Sequence, residues 1–231
     1  MLILAIDTAL DACAAAVLDS GNGQLIAQET LPMKRGHAEA LMPLIARVMQ
    51  SAHLSFTELD RIAVTTGPGS FTGLRVGISA ARGLALAANK PAVGLTTLSA
   101  YAAAMIGQTR GAPIISAIDA RHDHVYFQIV AGDGNPLVPP NVASVDKAIA
   151  ASQFGVPHLV GNAARILAER WPQDAPSPIT VDAQPAPDIV QVAWLGAAAD
   201  PQHAPTRPFY LRAPDAKPTV PSPMLSQPTN P

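Results

Sequence analysis

Apolar residues recur along this chain in two rhythms, and the rhythm changes at fixed kinds of residue. Leu4-Ala5-Ile6 is a short apolar run that ends at Asp7, and Cys13-Ala14-Ala15-Ala16-Val17-Leu18 is a second run returning from it. A Gly/Asn cluster, Ser20 to Gly23, follows, so the pattern predicts strands joined as hairpins. Over residues 36–52 the spacing shifts to a helical stripe of Ala38, Leu41, Met42, Ile45, Val48, Met49 and Ala52, with Pro43 inside it as an expected bend. Ile62-Ala63-Val64 is again strand-like. It runs into Gly67-Pro68-Gly69, after which Ser70 occupies an N-cap position for a helix over 71–89. In that helix Thr72, Arg75, Ser79 and Arg82 form one narrow polar stripe and the rest is apolar or small, which predicts burial on more than one side, by its own core or by another subunit. Residues 97–107 read as a third helix.

The first pattern then returns. Ser116-Ala117-Ile118-Asp119 repeats Leu4-Ala5-Ile6-Asp7 at an offset of 112 residues without a gap, and Asp11 falls on Asp123. Val125 to Val130 is the returning strand, and Gly132 to Asn135 the turn. Leu159-Val160-Gly161-Asn162 matches the strand–glycine junction Val64-Thr65-Thr66-Gly67. Helices are expected over 145–154, 163–171 and 188–199, with a Pro-rich connection at 172–187. The repeat predicts an α/β fold of two related lobes, residues 1–108 and 109–212, each a mixed sheet flanked by helices. Residues 213–231, rich in proline, read as a disordered or loosely draped tail. A strand ending in Asp that continues into a hairpin, present twice, is the pattern of the actin/hexokinase/Hsp70 (ribonuclease H-like) superfamily.

Composition narrows the functions. With 15 basic and 17 acidic residues among 231, the net charge of −2 offers no global field for nucleic acid or an anionic membrane. A single cysteine excludes an intrachain disulfide, and the apolar start meets Asp7 too soon for a signal peptide, so a cytoplasmic protein with no membrane attachment is expected. The hydrophobic content of 48 % against 14 % charged residues leaves apolar surface for a partner.

Two candidate sites follow. Asp7, Thr8, Asp11, Gly67, Gly69, Ser70, Asp119 and Arg121 lie at the loops that grip nucleotide phosphates in the superfamily, where the two aspartates would hold water around Mg²⁺, and they read here as vestigial or complex-dependent nucleotide loops. The glycine spacing departs from known phosphate loops, and the residues after each Asp (Thr8-Ala9-Leu10 and Ala120-Arg121-His122) lack the expected glycine. Gly69, Gly73 and Gly77, four apart, read instead as a smooth stripe for close approach of another helix. His122 and His124 flank Asp123 without further ligands and read as a solvated hairpin tip. No catalytic or metal-binding residue is assigned.

Ile3-Leu4-Ala5-Ile6-Asp7-Thr8, the run from Gly67 through Ser70-Phe71-Thr72-Gly73-Leu74-Arg75-Val76 to Gly77, Gly83-Leu84-Ala85, and Ala117-Ile118-Asp119-Ala120-Arg121 with Val125-Tyr126 resemble the TsaB (YeaZ) family. The likeness spans roughly residues 1–130 and returns at Pro208-Phe209-Tyr210-Leu211-Arg212. It implies a role in making threonylcarbamoyladenosine beside the tRNA anticodon, as the non-catalytic partner of the related transferase TsaD, with the ATPase TsaE joining them. TsaD proteins carry a His-x-x-x-His metal motif, whereas Thr97 and Tyr101 stand at the matching positions here. The resemblance further implies no cofactor for the chain alone, with ATP or ADP and a metal held mainly by partners, and tRNA reached through the complex. It puts the partner surface on the first lobe's helices, at His37, Leu41, Leu44, Ile45, Val48, Thr72, Arg75, Val76, Ser79 and Arg82, and leaves self-association through the same helices open. The competing reading is a small-molecule kinase or ATPase working through the two Asp loops. A metal-dependent peptidase would lack ligands.

Overall fold

Strands β1 (Leu2–Asp7), β2 (Ala12–Asp19) and β3 (Gln24–Pro32) form an antiparallel meander, and β4 (Arg61–Gly67) and β5 (Ala92–Thr96) extend it in parallel, in the order β3-β2-β1-β4-β5. The computed structural model describes residues 1–212, and the expectation for 213–231 lies outside them. Register follows composition: Leu4 pairs with Val17 across the hairpin and with Ile62 on the parallel side. Residues 12–18 are buried on both faces of the sheet, so β2 shows no polar alternation. Helices α1 (His37–Ser51) and α2 (Phe71–Ala88) cover one face. α1 runs through Pro43 as one helix, and α2 is capped by the Ser70 hydroxyl accepting from the Gly73 N–H. The third helix, α3 (Thr97–Ala103), is shorter than expected and breaks into turns before the second lobe.

The second lobe repeats this plan. Strands β6 (Ile114–Arg121), β7 (His124–Val130) and β8 (Pro136–Ser144) form the meander, and β9 (His158–Val160) and β10 (Thr180–Asp182) extend it, in the order β10-β9-β6-β7-β8. The expected duplication is therefore present strand for strand. The two third strands, β3 and β8, had no apolar run to mark them, because both are edge strands with exposed residues. Helices α4 (Val145–Ala150) and α5 (Ala164–Glu169) are short and enclose a separate core around Ile115, Phe127, Leu159 and Leu167.

The lobe boundary needs one correction. The last helix, α6 (Ile189–Ala198), expected in the second lobe, packs on the free face of the first sheet with α3. That face, formed by Ile3, Ala5, Ala14, Ala16, Leu18, Ala63 and Val93, is apolar, and seven-residue α3 cannot cover it alone. The small side chains let α6 come close: a Cβ on Gly196 would collide with Ala63. The Arg61 guanidinium donates to the carbonyls of Gly196, Ala197 and Ala199, satisfying the helix C-terminus. A strap of residues 200–211 continues along the first sheet, with the Gly94 N–H donating to Ala204 (2.9 Å) and the Phe209 N–H to Thr66 (2.8 Å). Residues 189–211 thus complete the first lobe.

Candidate functional site

The Asp7 loop sits at the end of β1, where the superfamily places a phosphate loop. Here it is closed. Asp7 is fully buried; the Thr65 hydroxyl and the Ala9 N–H donate to its Oδ1, while Oδ2 has no protein partner. The loop then lies down on the start of α2: the Thr8 hydroxyl donates to the Gly73 carbonyl (2.7 Å), and the Ser70 N–H donates to the Ala9 carbonyl (2.7 Å). A Cβ on Gly69, Gly73 or Gly77 would strike Ala9 O, Thr8 O or Thr8 Oγ1 respectively. The glycine stripe is therefore a seat for the chain's own loop, which corrects the expectation that it receives another helix. The same contact places Asp7, Thr8, Gly69 and Ser70 in a loop closed against α2. At the start of α2 the Ser70 N–H donates to the Ala9 carbonyl and the Gly73 N–H to the Ser70 hydroxyl.

Asp119 lies in β6 at the equivalent place, two residues before the strand's end, but is exposed. Its N–H donates to Asn162 Oδ1 (2.9 Å), and its Oδ1 accepts from the Arg121 N–H (2.7 Å). Arg121 and Asp11 are exposed as well. Related loops thus carry different chemistry, one sealed and one open. His122 and His124 lie at the β6–β7 turn, and the His122 carbonyl meets His124 Nδ1 at 2.7 Å. Among the described residues, no three His, Cys, Asp or Glu side chains gather to hold a metal ion. Thr97 is buried without a hydrogen-bond partner for its hydroxyl, and Tyr101 is buried with its hydroxyl donating to the Gln184 carbonyl (2.9 Å). Tyr101 therefore ties α3 to the segment that leads back from the second lobe.

Burial pushes the Asp7 carboxyl above the usual aspartate range; hydrogen bonds from Thr65 and Ala9 and the nearby His37 pull the other way without cancelling it. The folded chain consequently holds this proton more tightly than the unfolded chain. Its contribution favours folding at low pH and declines as pH rises through the unfolded and then the folded pKa. Asp7→Asn keeps the two acceptor contacts and removes the ionisation. The melting temperature of the variant relative to wild type should rise between pH 4 and pH 8; a constant difference across that range would contradict the shift.

The expected partner residues separate into two groups. Leu41, Leu44, Ile45 and Val48 are buried in the first lobe's core, and His37 is buried with Nε2 at 3.0 Å from the Leu10 carbonyl. They are not surface, which is a correction with a simple cause: a helix with one apolar stripe spends it on its own sheet. The outer side of α1 exposes Met42 and Arg47 instead, the latter paired with Glu29 of β3. On α2 the polar stripe faces outward, while Gly73, Leu74, Gly77, Ile78, Ala81 and Ala85 face the first lobe's interior. Thr72, Arg75, Ser79 and Arg82 are exposed, Val76 is half-buried, and Leu86 is 84 % exposed. Phe71, Thr72, Arg75, Val76 and Ser79 line a shallow groove of about 430 Å³. Sequence reasoning gave no role to Phe71 and Tyr210, whose rings stack 5.7 Å apart, or to Thr65, which seals Asp7. No helix among the described residues is long and apolar enough to cross a membrane.

Two lobes of one repeated β-meander fold, each extended by parallel strands and flanked by helices, define the actin/hexokinase class. The ROK hexokinase of Thermus thermophilus shares this fold, with a TM-score of 0.52 at 15 % identity over 86 % of this chain and 99 % of that one. The YeaZ structure from Pseudomonas aeruginosa is nearer, with a TM-score of 0.75 at 26 % identity over 91 % of this chain and 99 % of that one. A family model described as TsaD, tRNA N6-adenosine threonylcarbamoyltransferase, matches residues 24–183, and the chain belongs to that family. It is similar to the tRNA threonylcarbamoyladenosine biosynthesis protein TsaB of Escherichia coli K12, at 37 % identity over 59 % of this chain and 58 % of that protein. The matched region spans little more than half the length of that curated relative.

Proposed function

We propose that this chain is the non-catalytic, TsaB-type subunit of the apparatus that places threonylcarbamoyl on the adenosine beside the tRNA anticodon. It acts in the cytoplasm by binding a TsaD-type transferase through the outer face of α2, with TsaE joining the pair. ATP or ADP and the metal are held mainly by those partners, and tRNA is reached through the complex. One observation carries the reading: the loop that would take a phosphate is filled by Thr8 and Ala9, while the adjacent helix presents an exposed, partly apolar face. The names of the relatives agree with it. In the buried pair Thr97 and Tyr101, the second hydroxyl is already engaged by Gln184, which supports assigning the transfer chemistry to the partner.

The test is reconstitution. The purified chain, TsaD, TsaE and tRNA should together form threonylcarbamoyladenosine, and leaving out this chain should abolish or strongly reduce the product. The chain alone should neither transfer the group nor hydrolyse ATP. Steady ATP turnover by the pure chain, lost in Asp119→Ala, would instead favour the kinase or ATPase reading.

A further inference from the structure

The strap of residues 200–211 ends beside the start of α2 and leaves two large rings in solvent. Phe71 is 44 % exposed and Tyr210 43 %, although the rings stack with 26° between their planes. The Arg75 guanidinium carbon lies 3.8 Å from the centre of the Phe71 ring. Neither ring is needed by the core, whose apolar faces are already closed by α1, α2, α3 and α6. The strap itself is fixed: the Phe209 N–H donates to Thr66, the Gly94 N–H to Ala204, and Leu211 packs against the first lobe's core. A rigid aromatic pair with an arginine on it is the residue combination that anchors protein interfaces, and fixing it beforehand lowers the entropy lost on binding.

We propose that the C-terminal strap is a working part of the partner surface, in which Tyr210, stacked on Phe71 beside Arg75, forms an anchor for an apolar, carboxylate-bearing face of the transferase-type partner. The proposal rests on the reading that α2 faces that partner. Charge selects the occupant. α2 carries Arg75 and Arg82 and no Asp or Glu, so carboxylates on the partner complement it. A two-fold pairing of α2 with α2 of a second copy would bring cation to cation. The anchor also explains why the strap is held at both of its hydrogen-bonded points rather than only covering the edge of β5: the second point, at Phe209, fixes the neighbouring Tyr210 against the start of α2.

The affinity of the full chain for purified TsaD tests this. Tyr210→Ala should weaken binding about ten- to hundredfold, with the melting temperature nearly unchanged, while Tyr210→Phe, which keeps the ring, should bind as wild type. Tyr210→Leu keeps an apolar cover on Phe71 in case alanine frees the strap, and it should also weaken binding. Leu86→Glu, at the far end of α2, reports on the underlying reading. If Leu86→Glu weakens binding while Tyr210→Ala and Tyr210→Leu do not, the strap lies outside the interface and the proposal fails alone. If none of the three matters, the α2 reading fails with it. Loss of self-association, or of tRNA binding by the chain alone, with TsaD affinity retained in Tyr210→Ala, would assign the anchor to a second copy or to nucleic acid and overturn the proposal.

Discussion

Gly73→Ala should destabilise the protein by about 1–3 kcal/mol even though it inserts the best helix former into a helix. The added methyl would meet the Thr8 carbonyl oxygen, which is backbone and is held there by the Thr8 hydroxyl bonded to the Gly73 carbonyl. Relief requires moving the Asp7 loop off α2, which breaks the bond from the Ser70 N–H to Ala9 and disturbs the sealed carboxyl. Gly83, ten residues along the same helix, provides the control. It is exposed, and a Cβ there meets nothing within 4 Å. Gly83→Ala should therefore stabilise by about 0.5–1 kcal/mol through the same propensity. Urea unfolding of the two variants should give midpoint shifts of opposite sign. Equal shifts would mean that the loop does not bear on the helix.

Arg75→Glu combined with Arg82→Glu should reduce affinity for TsaD by about a hundredfold or more, since a like-charge juxtaposition costs several kcal/mol and 1.4 kcal/mol is tenfold. Product formation in the reconstituted reaction should fall with it. Both arginines are exposed, and among the described residues Arg75 touches only the Phe71 ring in a resolved side-chain contact, so the melting temperature should change little. The comparison of melting temperature with affinity separates a lost surface from a lost fold. Unchanged affinity would place the partner elsewhere, and the exposed outer side of α1, with Met42, would be the next surface to examine.

The two lobes were legible in the sequence because a duplicated meander leaves duplicated apolar runs at a constant offset. Leu2 and Ile114, Ala12 and His124, and Gln24 and Pro136 begin matching strands. The Ser70 cap and the turn at Gly67 were equally local, since one hydroxyl and a few backbone angles decide them. The α1 stripe was legible as a stripe, but its destination was not. Periodicity says which residues share a face, and both a core and a partner would be served by Leu41, Leu44, Ile45 and Val48. Their own sheet is covalently tethered and always present, so it takes that face first.

By itself the sequence determined the fold class, the repeat, the position of the glycine junction and the polar stripe of α2, all of which depend on neighbours within a turn or a hairpin. Only the tertiary structure decided that Thr8 and Ala9 fill the glycine seat, that Asp7 is sealed by Thr65 while Asp119 stays open, and that α6 and the strap return to the first lobe. Each of these joins residues distant along the chain: Thr8 to Gly73, Asp7 to Thr65, Ala63 to Gly196, Phe71 to Tyr210. Spacing cannot encode such contacts, because they are fixed by which apolar face remains uncovered and which hydrogen-bonding groups remain unpaired once the two sheets have formed.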